Sequence, residues 1–120
     1  MKKYVTLAML ITLSVYSIVE ARVKVAGRGA KMNFSIESIP DSYKPSFDVM
    51  LVKCIKCHTM ERTVIAIQTG RAPITGQPFN KQAVKAYGIK MLRKPSSDMN
   101  KKEIRDVVVL LNFLIDENAK

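Results

Sequence analysis

Histidine occurs once in this chain of 120 residues and cysteine twice, and all three fall within Cys54-Ile55-Lys56-Cys57-His58. A zinc site built only from cysteine and histidine is excluded, because its fourth such ligand does not exist. No cysteine stands directly after the apolar run near the N-terminus, which excludes a lipoprotein anchor. Internal repeats, low-complexity tracts and strand-rich stretches are also missing, which leaves an all-α reading for the body of the chain. Acidic residues are scarce, 10 against 20 lysines and arginines, for a formal net charge of +10. That balance points to acidic partners or anionic surfaces, a membrane surface among them, and says nothing about fold.

What is present begins with MKKYVTLAMLITLSVYSIVEAR. Two lysines, an apolar run from Tyr4 to Val19 and the small residues of Val19-Glu20-Ala21 predict a signal peptide over residues 1–21, cleaved after Ala21. The run is 16 residues long, short of the roughly 20 that a membrane span needs, so an uncleaved anchor is the weaker alternative. Export places the protein in the periplasm or outside the cell. It also argues against nucleic acid, the default partner of a basic cytosolic domain. The remaining 99 residues make one small domain, able to bury roughly 65% of its unfolded surface. A core of that size gains from a staple or a cofactor.

Residues 22–45 lack helical periodicity and contain Gly27, Gly29, Pro40 and Pro45, so they read as an irregular N-terminal extension with room for one short strand. Residues 46–120 carry the helices. Ser46 is placed to cap a first helix in which Phe47, Met50, Leu51 and Cys54 share a face, and which runs into the Cys54–His58 pentapeptide. A second helix spans Glu61 to Gln68, stopped by Thr69-Gly70, and Arg71 to Pro78 form a loop. Asn80 caps a third helix presenting Val84, Tyr87 and Met91 on one face, and Pro95 prevents much continuation. Gly88 within it suggests close approach to something bulky. In the last helix Asn100 and Glu103 match a capping box. Ile104, Val107, Val108, Leu111, Leu114 and Ile115 form its apolar stripe.

Cys-x-x-Cys-His is the attachment motif of c-type haem: two thiols three positions apart on a helical turn add across the haem vinyl groups, and the adjacent histidine reaches the iron. Three other readings compete. A redox-active dithiol needs a βαβ context that the helical pattern does not supply. A disulfide across two residues closes a tiny loop and stabilises little. Zinc would need a carboxylate as fourth ligand. With one histidine in the chain, an intramolecular bis-histidine haem is impossible.

With these features the chain resembles a class I monohaem cytochrome c over roughly residues 46–115. The resemblance rests on a helix leading into Cys54–His58, a Thr69-Gly70-Arg71-Ala72-Pro73-Ile74-Thr75-Gly76 loop, a lone Lys90-Met91, and a closing helix bearing Leu110, Phe113 and Leu114. It implies a small all-α cytochrome c fold, three to four helices wrapped around one covalent haem c. In such a fold the closing helix crosses the first. The resemblance further implies thioether bonds from Cys54 and Cys57, His58 as proximal iron ligand and a methionine as distal ligand. Of the candidates Met32, Met50, Met60, Met91 and Met99, Met91 is favoured because it follows Lys90 as in the family and shares a face with Val84 and Tyr87. Met99 is the alternative, though a hydrophobic staple beside the Asn100 cap also accounts for it. By the same resemblance the Pro73 carbonyl accepts the proximal histidine's ring N–H, and Arg71 and Tyr87 meet the haem propionates.

Such a site implies a one-electron carrier and no enzymatic activity, since histidine and methionine saturate the iron and a thioether raises its potential. Residues 81–102 hold seven basic side chains against one acidic, a basic face that would steer acidic redox proteins or a membrane-bound or periplasmic oxidoreductase. The alternatives are a haem subunit of a larger redox complex, or a ligand-binding haem sensor or peroxidase with a labile distal methionine.

Overall fold

Helix starts and stops are written locally along this chain, and the structure, a computed structural model, describes residues 23–120. The expected signal peptide therefore lies outside the described residues. Four α-helices account for most of them: α1 (Lys44–Lys53), α2 (Glu61–Thr69), α3 (Lys81–Arg93) and α4 (Lys101–Asn118). None of them is long and apolar enough to cross a membrane.

The N-terminal segment is more ordered than its glycines and prolines suggest. Instead of one strand it forms two, β1 (Val25–Ala26) and β2 (Asn33–Phe34), paired antiparallel with Val25 opposite Phe34. Val23, Phe34 and Ile39 are buried in the same core as the helices. The segment is thus a covering layer over α2.

α1 begins at Lys44, two residues before the expected cap at Ser46, which lies inside the helix. Two local causes act together. A 3₁₀ turn at Asp41–Tyr43 hands the chain over in helical conformation. Pro45 then falls in the first turn, where its missing N–H removes no hydrogen bond and its fixed φ suits a helix. Phe47, Met50 and Cys54 are buried as their spacing predicts, whereas Leu51 is exposed.

α2 stops at Gly70, which adopts φ +69° and donates its N–H to the Ala66 carbonyl at 2.9 Å; that left-handed conformation favours glycine. α3 starts on Asn80, whose side chain accepts from the Ala83 N–H at 2.9 Å. The capping box at Asn100 is complete: Oδ1 accepts from Glu103 N–H at 2.9 Å, and Glu103 Oε2 accepts from Asn100 N–H at 3.0 Å.

α4 is the central element and touches each of the other three helices. Its buried stripe is Ile104, Val107, Leu110, Leu111 and Leu114, with Val108 and Ile115 packed at the margin. Each such side chain contributes about 1.5–3 kcal/mol on burial. Gly88 of α3 faces this stripe: a Cβ there would lie 3.0 Å from Val108 Cγ2 and 3.2 Å from Ile104 Cγ2, so the bulky neighbour is α4 itself. Where α1 meets α4, Tyr43 packs on Phe113 with ring centroids 4.8 Å apart. At its far end α4 is tied to α2 by Asn118, whose Nδ2 donates to the carbonyls of Ile67 at 3.2 Å and Gln68 at 3.3 Å.

Candidate functional site

The pentapeptide lies where α1 tightens into a 3₁₀ turn at Cys54–Lys56. The turn carries Cys54 into the core, 8% exposed, and leaves Cys57 at the surface, both as free thiols. Burial pushes the Cys54 thiol up to about 11, because the thiolate would lose its hydration. Cys57 Sγ lies 4.0 Å from Ser96 Oγ.

His58 is half-buried, with Nδ1 2.9 Å from the Thr59 carbonyl oxygen. A carbonyl only accepts, so Nδ1 carries the proton in this contact, and in the neutral ring Nε2 keeps the lone pair that can ligate a metal. The partner expected for this N–H was the Pro73 carbonyl. Thr59 takes that role here because it is the next residue and needs no loop to reach across, while Pro73 contributes to the wall instead.

Both cysteines and His58 line one cavity of about 370 Å³ between α1, α2, α3 and the connection from α3 to α4. Cofactor pockets occupy about 300–1,000 Å³. Its walls are mainly apolar: Met50 from α1, Ala66 from α2, Ala72, Pro73 and Phe79 from the α2–α3 connection, Val84 and Met91 from α3, Met99, and Val107 and Leu111 from α4. Both candidate distal ligands, Met91 and Met99, thus share the cavity with the pentapeptide. So does Met50, another of the five candidate methionines, one turn before Cys54 and buried. Tyr87 also lines the cavity, packed on Phe79 at 5.8 Å between centroids, and Lys90 Nζ stands 5.4 Å over its ring.

Arg71 does not reach the cavity. Its guanidinium donates to the Gly76 carbonyl at 2.9 Å, and the bridge between Arg71 and Pro78 closes the loop on itself. The cations that do line the cavity are Lys53, Arg62, Lys90 and Lys94. Arg62 was legible in principle, since it lies four residues past His58 in the first turn of α2.

An ionic latch holds the motif turn to the α3–α4 connection. Lys53 Nζ donates to Glu103 Oε1 and Oε2 at 2.8 and 2.9 Å and to the Asp98 carbonyl at 2.7 Å. Lys56 Nζ donates to Asp98 Oδ2 at 3.1 Å. The hydrogen bond from Lys53, then that from the Asn100 N–H, lowers the Glu103 pKa, and the hydrogen bond to Glu103 raises that of Lys53. Asp98 is lowered mainly by its hydrogen bond with Lys56 and by that lysine's charge. Asp98 sits at φ +52°, a left-handed conformation that aspartate tolerates better than most residues.

Chemically, the site offers two thiols, one imidazole lone pair and three thioethers around an apolar volume, with cations among its lining residues. Among the described residues, no group of three or more His, Cys, Asp or Glu side chains is placed to hold a metal ion. A search of known protein families, curated proteins and solved structures finds no family model, curated protein or solved structure that matches the chain.

Proposed function

We propose that this protein is a one-electron carrier of the monohaem cytochrome c type, holding one haem c in the cavity beside Cys54–His58. The observation that carries the reading is the convergence of Cys54, Cys57, His58, Met91 and Met99 on a single apolar cavity, although 45 residues separate the first from the last. The residues fit the group: thiols at one wall, an imidazole with Nε2 unencumbered, thioethers in the lining and little polar surface between them. In this reading Cys54 and Cys57 would hold the porphyrin covalently, His58 would ligate the iron through Nε2 with its ring oriented by the Thr59 carbonyl, and Met91 would be a second iron ligand, with Met99 as the alternative. The bound iron supplies one-electron exchange, its potential raised by thioether ligation.

The chain's own residues do the rest. Apolar side chains exclude water from the site, which favours the less charged state of an iron centre. Arg62, Lys90 and Lys94, cations in the cavity lining, would be the partners for propionates, with Tyr87 beside Lys90. Five basic residues between 81 and 102, namely Lys85, Lys90, Arg93, Lys94 and Lys101, make no salt bridge with any described residue. Of these, Lys85, Arg93 and Lys101 are exposed and lie outside the cavity lining, and they would supply the charge that attracts an acidic redox partner, a periplasmic or membrane-bound oxidoreductase.

Intact mass and visible spectra of the protein purified from a host that attaches c-type haem test the reading. The expected result is a chain lacking residues 1–21, heavier by one haem, with low-spin absorption in both oxidation states. A mass equal to the polypeptide alone refutes it. Ready uptake of carbon monoxide by the reduced protein would favour the ligand-binding alternative over the carrier.

A further inference from the structure

The two thiols of the pentapeptide meet solvent unequally: Cys54 is buried and Cys57 is exposed. The connection from α3 to α4 packs against the turn that carries Cys54, through its own 3₁₀ turn at Pro95–Ser97. Ser97 and Met99 on this strap share the cavity lining with Cys54.

The strap has little apolar anchorage. Of residues 94–98 only Ser97 is buried, and its N–H bonds within the strap, to the Lys94 carbonyl at 3.0 Å. What ties the strap to the cysteine turn is ionic: Lys53 Nζ on the Asp98 carbonyl and Lys56 Nζ on the Asp98 carboxylate. Glu103 holds Lys53 in place through both carboxylate oxygens. The Lys53 and Glu103 side chains are 22% and 21% exposed, against 39% and 72% for Lys56 and Asp98, so Lys53 is the less screened and stronger tie. Asp98 between them sits at φ +52°, a conformation unfavourable for any residue with a Cβ. Segments with few buried apolar contacts and part-exposed polar ties open locally at a lower free energy than the whole fold.

We propose that this strap is a gate over Cys54, held shut by Lys53 and Lys56, so that the two thiols react in a fixed order. Cys57 reacts in the closed state, and Cys54 reacts only when the strap lifts. The inference stands apart from the haem reading, since it concerns any electrophile that enters the cavity, a vinyl group among them. The chemistry needs no oxidant or reductant. At a vinyl group the sulfur joins one carbon and the thiol hydrogen the other. With iodoacetamide the S–C bond forms as the C–I bond breaks, iodide leaves and the thiol proton passes to water.

The test labels the full chain, produced without haem and reduced beforehand, with iodoacetamide at one pH, and reads the two sites separately by peptide mass. Lys53→Met removes the main tie. Glu103→Gln keeps an oxygen for the Asn100 cap but removes the charge that holds Lys53, and it serves if Lys53→Met does not fold. Ile115→Val, near the far end of α4 and outside the cavity lining, lowers global stability and leaves the strap's ties in place. Wild type is expected to label faster at Cys57 than at Cys54. Lys53→Met should raise the Cys54 rate about fivefold, Glu103→Gln should raise it too, and Ile115→Val should leave it unchanged, with Cys57 alike in all four proteins. Equal rates at both thiols in wild type overturn the gate, and so does a Cys54 rate that neither latch variant changes. A similar rise in Ile115→Val also overturns it, because Cys54 would then be reached through global unfolding. None of these results touches the haem reading, which fails instead if the protein from a haem-attaching host carries no haem.

Discussion

Replacing Gly88 by alanine sets two known effects against each other at the contact between α3 and α4. Alanine is favoured over glycine inside a helix by about 0.8–1.0 kcal/mol. Against this, the new Cβ would lie 3.0 Å from Val108 Cγ2 and 3.2 Å from Ile104 Cγ2, both closer than ordinary van der Waals contact. Those neighbours are β-branched and stiff at χ1 in a helix, and Ile104 is buried, so neither swings aside freely. Overpacking of this kind costs about 1–3 kcal/mol. The crowding wins, and Gly88→Ala is expected to destabilise the protein by a net ~1 kcal/mol. For a domain of this size that lowers Tm by about 4–8 °C. Urea and thermal unfolding followed by far-ultraviolet circular dichroism give the number directly. A variant as stable as wild type, or more so, would refute the argument that α3 lies on α4 through this glycine. Because Met91 follows within one turn, displacement of α3 should also register at the cavity wall.

The remaining expectations concern the latch and the site. Glu103 and Asp98 have lowered pKa values, so their contribution is present above their ordinary values of 4.5 and 3.8 and is lost as pH falls through the lowered ones. Lys53 is raised, so its contribution holds below 10.5 and is lost as pH rises through the raised value. Urea midpoints from pH 2 to 7 should therefore fall on the acid side in wild type and fall less in Lys53→Met; parallel curves would show that the pair contributes nothing. In the haem-loaded protein, Met91→Ala should abolish the sulfur-to-iron charge-transfer absorption while Met99→Ala retains it, and the reverse pattern would transfer the ligand role to Met99. Electron-transfer rates with an acidic partner should drop steeply with ionic strength, and a flat dependence would remove the basic face from docking.

Features legible in the sequence were those decided by a few neighbouring residues. Asn80 and Asn100 mark helix starts because a side-chain oxygen three residues before an N–H meets it by local geometry, and Thr69-Gly70 marks a stop because the left-handed turn suits glycine. The start of α1 was misplaced at Ser46 because that serine resembles a cap, whereas the 3₁₀ turn at Asp41–Tyr43 carries no comparable mark and lets Pro45 lie within the first helical turn. At the cavity, the spacing of Cys54, Cys57 and His58 was readable, and so was the shared face of Val84, Tyr87 and Met91. The roles of Arg71 and Pro73 depended on how one loop folds, and that loop uses Arg71 to close itself. Ser97 and Lys53 escaped notice for a related reason: a serine or lysine reads as surface, and only the juxtaposition of segments 42–50 residues apart puts the one in the cavity wall and the other in the latch.

The latch also bears on what the cavity costs to fill. Lys53 and Lys56 flank Cys54 at the end of α1 and on the turn, and their acceptors are Asp98, on the stretch that leads into the Asn100 cap, and Glu103, in the first turn of α4. Folding of α4 thereby fixes the connection bearing Ser97 and Met99 against the cysteine turn before anything enters between them. An occupant does not have to order that wall as it binds, so the conformational entropy lost there falls on folding and not on association. Cutting the latch would leave the same side chains in the chain and the same cap on α4. It would turn a preformed recess into one that must be assembled around each arriving ligand.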